Sequence, residues 1–372
     1  MSPDVIVVGA GAIGTSIAYQ LAKAGVRVTV IDRGQVGGGA TGASAGIIQV
    51  NPDRTTPTAM VSLEAESARL FPALTAELRE RTGMDVGYRP SPLLHLALHA
   101  DEEPSLREHR AWQADHGVGV AWLDRAAALD LEPGLNPDLR AALYYPNDHQ
   151  LMPLAFARAL ARAAVDLGAV VREGAAVDRL LTEGDRVVGV AIGDERLGAR
   201  EVVIANGAWA FSWSETLHTP IPVRPVRGQM VALRTIGTAL RHAVSSLEGY
   251  TITKADGTTY VGTTVEEAGF DARPTAAGIA RLLAVAPRLV PRLADATFVA
   301  AWAGLRPGTA DGRPLIGRLP GWQGVRMAAG HFRNGILLAP ITGELVADLL
   351  ADRRPRLPLD DFDPGRFLVR AA

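Results

Sequence analysis

The stretch DVIVVGAGAIGTSIAYQLAKAGVRVTVID, residues 4–32, decides the fold. Asp4 to Val8 is a short, continuous β-branched run, of the kind buried on both faces of a sheet. Ile13, Ile17, Ala18 and Leu21 then recur at helical spacing as far as Gly25, and Val26 to Ile31 is a second β-branched run. Strand, helix and strand in this order predict a parallel pair joined by a right-handed crossover. Gly9, Gly11 and Gly14 form G-x-G-x-x-G, and Asp32 closes the second strand eighteen residues later. Such glycines allow a tight turn, close approach of backbone to a pyrophosphate and close helix–strand contact. The helix after Gly11 offers free N–H groups and a partial positive charge to phosphates. Asp32 can accept both ribose hydroxyls and would repel a 2′-phosphate. The motif alone does not separate FAD from NAD.

The loop GGGATGASAG, residues 37–46, favours FAD. Its small residues and hydroxyls would let the chain run beside a ribityl-pyrophosphate. A long helix is expected over Ala59–Arg81, interrupted near Pro72. A strand over Leu93–Leu98 and a helix over Ser105–His116 follow. Pro153 opens a helix that Gly168 closes. Strands are expected at Val170, Val177–Leu181, Arg186–Ile192 and Glu201–Ala205, with a hairpin turn at 183–186. Three prolines between Pro220 and Pro225 mark a crossing between domains. Alternating strands at Gln229–Leu233, Tyr250–Thr253 and Thr258–Thr264 suit an antiparallel sheet. Val325–Ala329 and a helix from about Asn334 to Leu350 return to the first style. The expected fold class is α/β plus α+β. A discontinuous, Rossmann-like FAD-binding domain spans 1–85, 145–218 and 312–372, and an antiparallel-sheet substrate domain spans 86–144 and 219–311.

Bulk properties narrow the function. The 372 residues exceed one compact core. A net charge of -2 without basic runs gives no footprint for nucleic acid. Cysteine is absent, which excludes disulfides, thiolate chemistry and a flavin tethered through sulfur. Lys23 and Lys254 are the only lysines, so Schiff-base candidates are few. No apolar run reaches signal or membrane length, and no His/Asp/Glu cluster has metal-ligand spacing. A soluble, cytoplasmic protein without metal is expected.

The chain resembles the D-amino acid oxidase superfamily, and within it the glycine oxidase branch associated with thiamine biosynthesis. The likeness rests on VIVVGAGAIG at the start, ATGASAGII at 40–48, VVIANGAWA at 202–210, WAGLRPGTADGRPLIG at 302–317 and AAGHFRNGILLAPITG at 328–343. It implies noncovalent FAD between two domains, and dehydrogenation of an amino acid to an imine that water hydrolyses. Dioxygen would reoxidise the flavin and give hydrogen peroxide. Glycine, sarcosine or small D-amino acids are the expected substrates, yielding the 2-oxo acid and ammonia. The alternative is a dehydrogenase or sarcosine-type oxidase of the same superfamily using another electron acceptor. Expected partners are thus a small amino acid and dioxygen. Neither nucleic acid nor membrane is expected, and homo-oligomer formation stays open.

Carried over residue by residue, the resemblance puts Arg306 on the substrate carboxylate, Tyr250 beside it, and Arg333 where substrate meets isoalloxazine. Val177 matches the position whose backbone meets the adenine. Arg33, Thr41, Ser44, Ala45, Gly46, Asn206, Gly207, Trp209, Asn334, Gly335 and Ile336 fall on segments along the cofactor. The chain departs from the glycine oxidase pattern at Ile47, Ile48 and Gln49, where methionine, leucine and a very small residue are usual. Glu248 stands where a histidine is expected, and Val265 replaces a methionine.

Read by their own chemistry, Arg306 offers a bidentate guanidinium where a strand breaks into a loop. Tyr250 offers a hydroxyl that does not titrate near neutrality. His331 suits a structural hydrogen bond better than a base, and Glu248 an exposed strand end. Asp311 reads as a turn residue and Glu344 as a helix-face charge.

Overall fold

The computed structural model describes residues 2–50, 55–235 and 240–368. At its centre is a six-stranded sheet in the order Leu315–Arg318, Val325–Ala329, Glu201–Ile204, Val5–Val8, Val28–Ile31, Val170–Arg172. All neighbours are parallel except the first pair. Val5 sits opposite both Val28 and Glu201. Because strand side chains alternate, Val5 and Val7 enter a core with the helices Ala12–Lys23, Pro153–Asp166 and Ala339–Leu350, while Ile6 and Val8 enter another on the opposite face. That second core is covered by the three-stranded antiparallel sheet Arg179–Glu183, Arg186–Ile192 and Glu195–Gly198.

An eight-stranded sheet stands beside it. Its order is Thr297–Thr309, Val223–Arg234, Thr258–Gly262, Gly249–Thr253, Ala243–Ser246, Leu93–Ala97, Ala141–Tyr145, Ala121–Asp124. Neighbours are antiparallel except Ala243–Ser246 with Leu93–Ala97. One face is covered by the helix Ala276–Leu289. A third, small sheet joins Ile47–Ile48 and Arg89–Pro90 to His149–Gln150.

Several expectations are corrected. Pro72 does not interrupt its helix, which runs unbroken over Thr58–Thr82. Phe71 is fully buried beside Tyr88 and Phe156, and Ser67 Oγ donates to Leu337 O at 2.5 Å. This tertiary anchoring outweighs the one backbone hydrogen bond that proline removes. The strand expected from Val177 begins at Arg179. Pro225 lies inside the strand Val223–Arg234, opposite Pro307 on an edge strand, where a missing N–H is tolerated. The last helix begins at Ala339 rather than Asn334, because residues 332–334 form a 3₁₀ turn. Arg306 is not at a strand's end but inside the thirteen-residue strand Thr297–Thr309.

The dinucleotide-type turn rests on contacts that only glycine permits. A Cβ on Gly14 would overlap the carbonyl oxygen of Gly9, whereas Gly25, in left-handed backbone (φ 77°), has open space around it. Gly25→Ala should therefore cost only the strain of that backbone, about 1–2 kcal/mol. Gly14→Ala should cost markedly more, because the first helix must move off the sheet. Thermal melts of the two variants check this; equal losses would contradict the packing described.

Candidate active site

A cavity of about 1290 Å³ opens beyond the carboxyl ends of Val5–Val8 and Val28–Ile31 and extends to the eight-stranded sheet. One part of its wall is built for a dinucleotide. Gly9 has φ +110°, and a Cβ there would come within 2.6 Å of Ala205 O. The first helix starts at Gly11 with no side-chain cap and no acid in its first turn. Thr41 Oγ1 accepts from Ala12 N at 3.0 Å. Asp32 is aimed by two backbone donors, Ala10 N to Oδ2 and Gly34 N to Oδ1, both at 2.7 Å. Asp32 lines the cavity. The Arg33 guanidinium stacks 3.7 Å from the Trp209 ring. Asn206 Oδ1 is buried with no partner. A helix N-terminus with no acid in its first turn, an oriented carboxylate and an orphaned acceptor together match phosphates and ribose hydroxyls.

The glycine-rich loop is fixed from behind. Trp302 Nε1 donates to Ala43 O at 3.0 Å, and a Cβ on Gly304 would lie 2.5 Å from Ala43 Cβ. The buried Lys254 ammonium donates to Ala45 O, to Gln150 Oε1 at 3.1 Å and to Leu151 O at 3.3 Å. Burial, with the Arg89 charge nearby, pulls its pKa down to about 7. Lys254 does not line the cavity; it holds the loop that does.

Elsewhere on the wall lie Arg306, Arg333 and Tyr250. The Arg306 guanidinium lies over Gly228, where any Cβ would overlap it. Its Nη2 donates to Thr263 Oγ1 at 2.7 Å and its Nη1 to Thr264 O at 3.3 Å. Burial lowers its pKa, and Arg333 lowers it further, against the opposing pull of Tyr250. Tyr250 is pushed up to about 12 by burial, although Arg306 and Arg333 both act to lower it. Its hydroxyl finds only Met230 Sδ, at 3.4 Å. Gly262 makes room for that ring, since a Cβ there would meet Tyr250 Cζ at 2.5 Å. Among the described residues no carboxylate pairs with Arg306 or Arg333.

All three expected catalytic residues line this cavity, as do Gly9, Gly11, Ile13, Asp32, Arg33, Thr41, Ser44, Ala45, Gly46, Val177, Asn206, Gly207, Trp209, Asn334, Gly335 and Ile336. Gly14 does not; it serves the helix–strand contact. Of the residues that depart from the pattern, Ile47, Gln49, Glu248 and Val265 line the cavity, whereas Ile48 is buried away from it. Glu248 is not an exposed strand end. It sits half-buried in the turn between Ala243–Ser246 and Gly249–Thr253, paired with Arg288 at 2.8 Å. Sequence reading missed Gly228, Gly262, Lys254 and Glu64. The last is a buried carboxylate from the helix Thr58–Thr82 that accepts from Asn334 Nδ2 at 2.7 Å. The signal for the two glycines was their isolation within strand-like runs, which marks close approach by another group.

His331 is buried, hydrogen-bonded to Thr342 Oγ1 at 3.1 Å, and burial depresses its pKa to about 3. It is a neutral structural group at physiological pH.

With this geometry in view, known proteins give a consistent answer. Residues 4–349 match the FAD dependent oxidoreductase family, and the chain belongs to it. FAD is its cofactor. The glycine oxidase of Geobacillus kaustophilus strain HTA426 is 38% identical over 98% of this chain and 97% of its own length. That of Pseudomonas putida strain KT2440 is 37% identical over 99% and 100%. The crystal structure of the Geobacillus kaustophilus glycine oxidase superposes with a TM-score of 0.93, covering 98% of each chain at 37% identity.

The His331 environment predicts an acid-side loss of stability. Its folded pKa lies below the ordinary 6.5, so as pH falls from about 6.5 to 3 the unfolded chain takes up the proton first. Stability should therefore decline across that window by up to ~1.4 kcal/mol per pH unit from this group. His331→Gln should flatten the decline in urea titrations run at several pH values; an unchanged slope would contradict a buried neutral imidazole.

Proposed function

We propose that the protein oxidises glycine or another small amine, such as sarcosine or a small D-amino acid, to the imine that water converts to a 2-oxo acid and ammonia, or methylamine in the case of sarcosine. The observation that carries this is the Arg306–Tyr250–Arg333 cluster, charged, without a carboxylate partner among the described residues, and on the same cavity wall as the dinucleotide cradle. The glycine oxidases among the relatives support the substrate class.

Gly9, Gly11, Ile13 and the first helix would hold the pyrophosphate, with Asp32 on the adenosine ribose and Arg33, Val177 and Trp209 around the adenine. Thr41, Ser44, Ala45, Gly46, Asn206, Gly207, Asn334, Gly335 and Ile336 would follow the rest of FAD, and Gly14 would keep the helix close. FAD supplies the two-electron oxidation, and its reoxidation by dioxygen gives hydrogen peroxide. The chain's own work is positioning. Arg306 pairs its planar fork with the substrate carboxylate, Tyr250 donates its hydroxyl to the same group, and Arg333 adds positive charge beside it. No residue here need act as a strong base if the bound amine is neutral.

We also infer the division into an FAD-binding part (1–85, 145–218 and 312–372) and a substrate part (86–144 and 219–311). The six-stranded sheet draws its strands from the first set and the eight-stranded sheet almost wholly from the second, which supports it.

Arg306→Lys keeps the charge but loses the fork, so KM for glycine should rise strongly while FAD stays bound. Loss of one charged partner typically costs about 2–5 kcal/mol. Gly228→Ala should mimic it by displacing the guanidinium. Steady-state peroxide assays check both, and near-normal KM in either would remove Arg306 from the carboxylate. Gln49→Gly should widen the substrate range toward bulkier D-amino acids if Gln49 limits size; an unchanged profile across such a panel would place that limit elsewhere.

A further inference from the structure

Behind the cavity wall, the small three-stranded sheet carries a polar pair that the reading above does not use. Ile47 pairs with Gln150 and Ile48 with His149, so the antiparallel register runs on to set Gln49 across from Asp148. Gln49 lines the cavity; Asp148 lies one layer behind it, buried, in the turn before His149. Among the described residues Gln49 is the side chain that acts to lower the Asp148 pKa against its burial. Yet Gln49 Nε2 and Asp148 Oδ2 are each buried without a partner. A buried donor and a buried acceptor on residues set opposite each other are thus both unsatisfied, and unsatisfied groups of this kind are costly.

The ionisable groups in the surrounding elements are engaged elsewhere. Tyr145 donates to Gln113 Oε1 at 2.9 Å, and Arg89 to Thr253 O at 2.8 Å. His149 Nδ1 meets Asn147 O at 2.9 Å, and Lys254 is held by Ala45 O, Gln150 and Leu151. Among the described residues none of them compensates Asp148.

An amide has two different ends, and its neighbour decides which end turns inward. We propose that Asp148 is a positioning residue that sets which end of the Gln49 amide faces the cavity, and thereby whether the cavity offers the substrate amine an acceptor. Ionised Asp148 takes the Gln49 Nε2–H and leaves Oε1 to accept from the substrate N–H. Protonated Asp148 donates to Oε1 and turns Nε2 inward, so the cavity no longer offers the substrate N–H an acceptor. Burial lifts the Asp148 pKa to about 8, so both states occur in the working range of an enzyme near neutrality. The proposal rests on the amine-oxidising reading above and adds to it how the amine end is recognised.

The test is the pH dependence of KM and kcat for glycine, from about pH 6 to 10, in wild type, Asp148→Asn and Gln49→Leu. In wild type KM should fall roughly 2–10-fold through a transition near pH 8, the value of one hydrogen bond. In both variants that transition should vanish from KM, while the rise of kcat with deprotonation of the bound amine remains. Infrared difference spectra of the FAD-loaded protein across the same range should show a protonated carboxyl band that Asp148→Asn removes. If Asp148→Asn fails to fold, Gln49→Leu and the wild-type spectrum decide alone. A KM profile shared by wild type and Gln49→Leu, or no carboxyl band titrating near pH 8, overturns the proposal and leaves the amine-oxidising reading standing. Wild type whose flavin no amino acid reduces overturns both.

Discussion

The Arg306 guanidinium, largely withdrawn from water and with no carboxylate paired to it among the described residues, is the constraint around which the site is arranged. Arg306 and Arg333 share one cavity wall, and Arg333 weakens the hold of Arg306 on its proton; among the described residues Arg306 donates only to neutral oxygens. A buried charge without a partner costs several kcal/mol. In the function proposed, a substrate carboxylate entering the cavity removes that cost, and binding energy concentrates at the end of the substrate that does not react. Energy spent there orients the reacting carbon and nitrogen. The arrangement also selects: an amine without a carboxylate leaves both guanidinium groups unmatched.

Holding such a cluster in place depends on backbone contacts more than on side-chain partners. Gly228 lets the Arg306 guanidinium lie flat on the neighbouring strand, Gly262 does the same for the Tyr250 ring, and Gly304 lets the 37–46 loop press against the sheet. From the far side, Lys254 and Trp302 hold that loop by its carbonyls. The nucleotide cradle and the charged cluster are therefore joined through one loop rather than merely adjacent.

Much of this was legible in the chain. The β-branched runs around Gly9–Gly14 and the acid at Asp32 gave the parallel core, because period and turn chemistry are local properties. The arginines and the tyrosine were found through resemblance of motifs, and all three line the cavity. What escaped was set by distant contacts. Pro72 reads as a helix break until Phe71 and Ser67 are seen anchored across the core. Arg306 reads as a loop residue because Pro307 and Gly308 follow it, but an edge strand accepts both. Glu248 reads as solvent-exposed because its partner, Arg288, is forty residues away in sequence. Lys254 gives no sign of its role, since its acceptors are all oxygens brought in by the fold.

The central claim is that this cavity oxidises amines by gripping a carboxylate. The most direct measurement is anaerobic titration of the FAD-loaded protein, following the flavin absorbance, with glycine, sarcosine and small D-amino acids, and with methylamine as the carboxylate-free control. The account predicts that at least one of the amino acids bleaches the flavin, that air restores its colour with release of peroxide, and that methylamine at equal concentration does neither. Flavin that no amino acid reduces, or that methylamine reduces equally well, would contradict it.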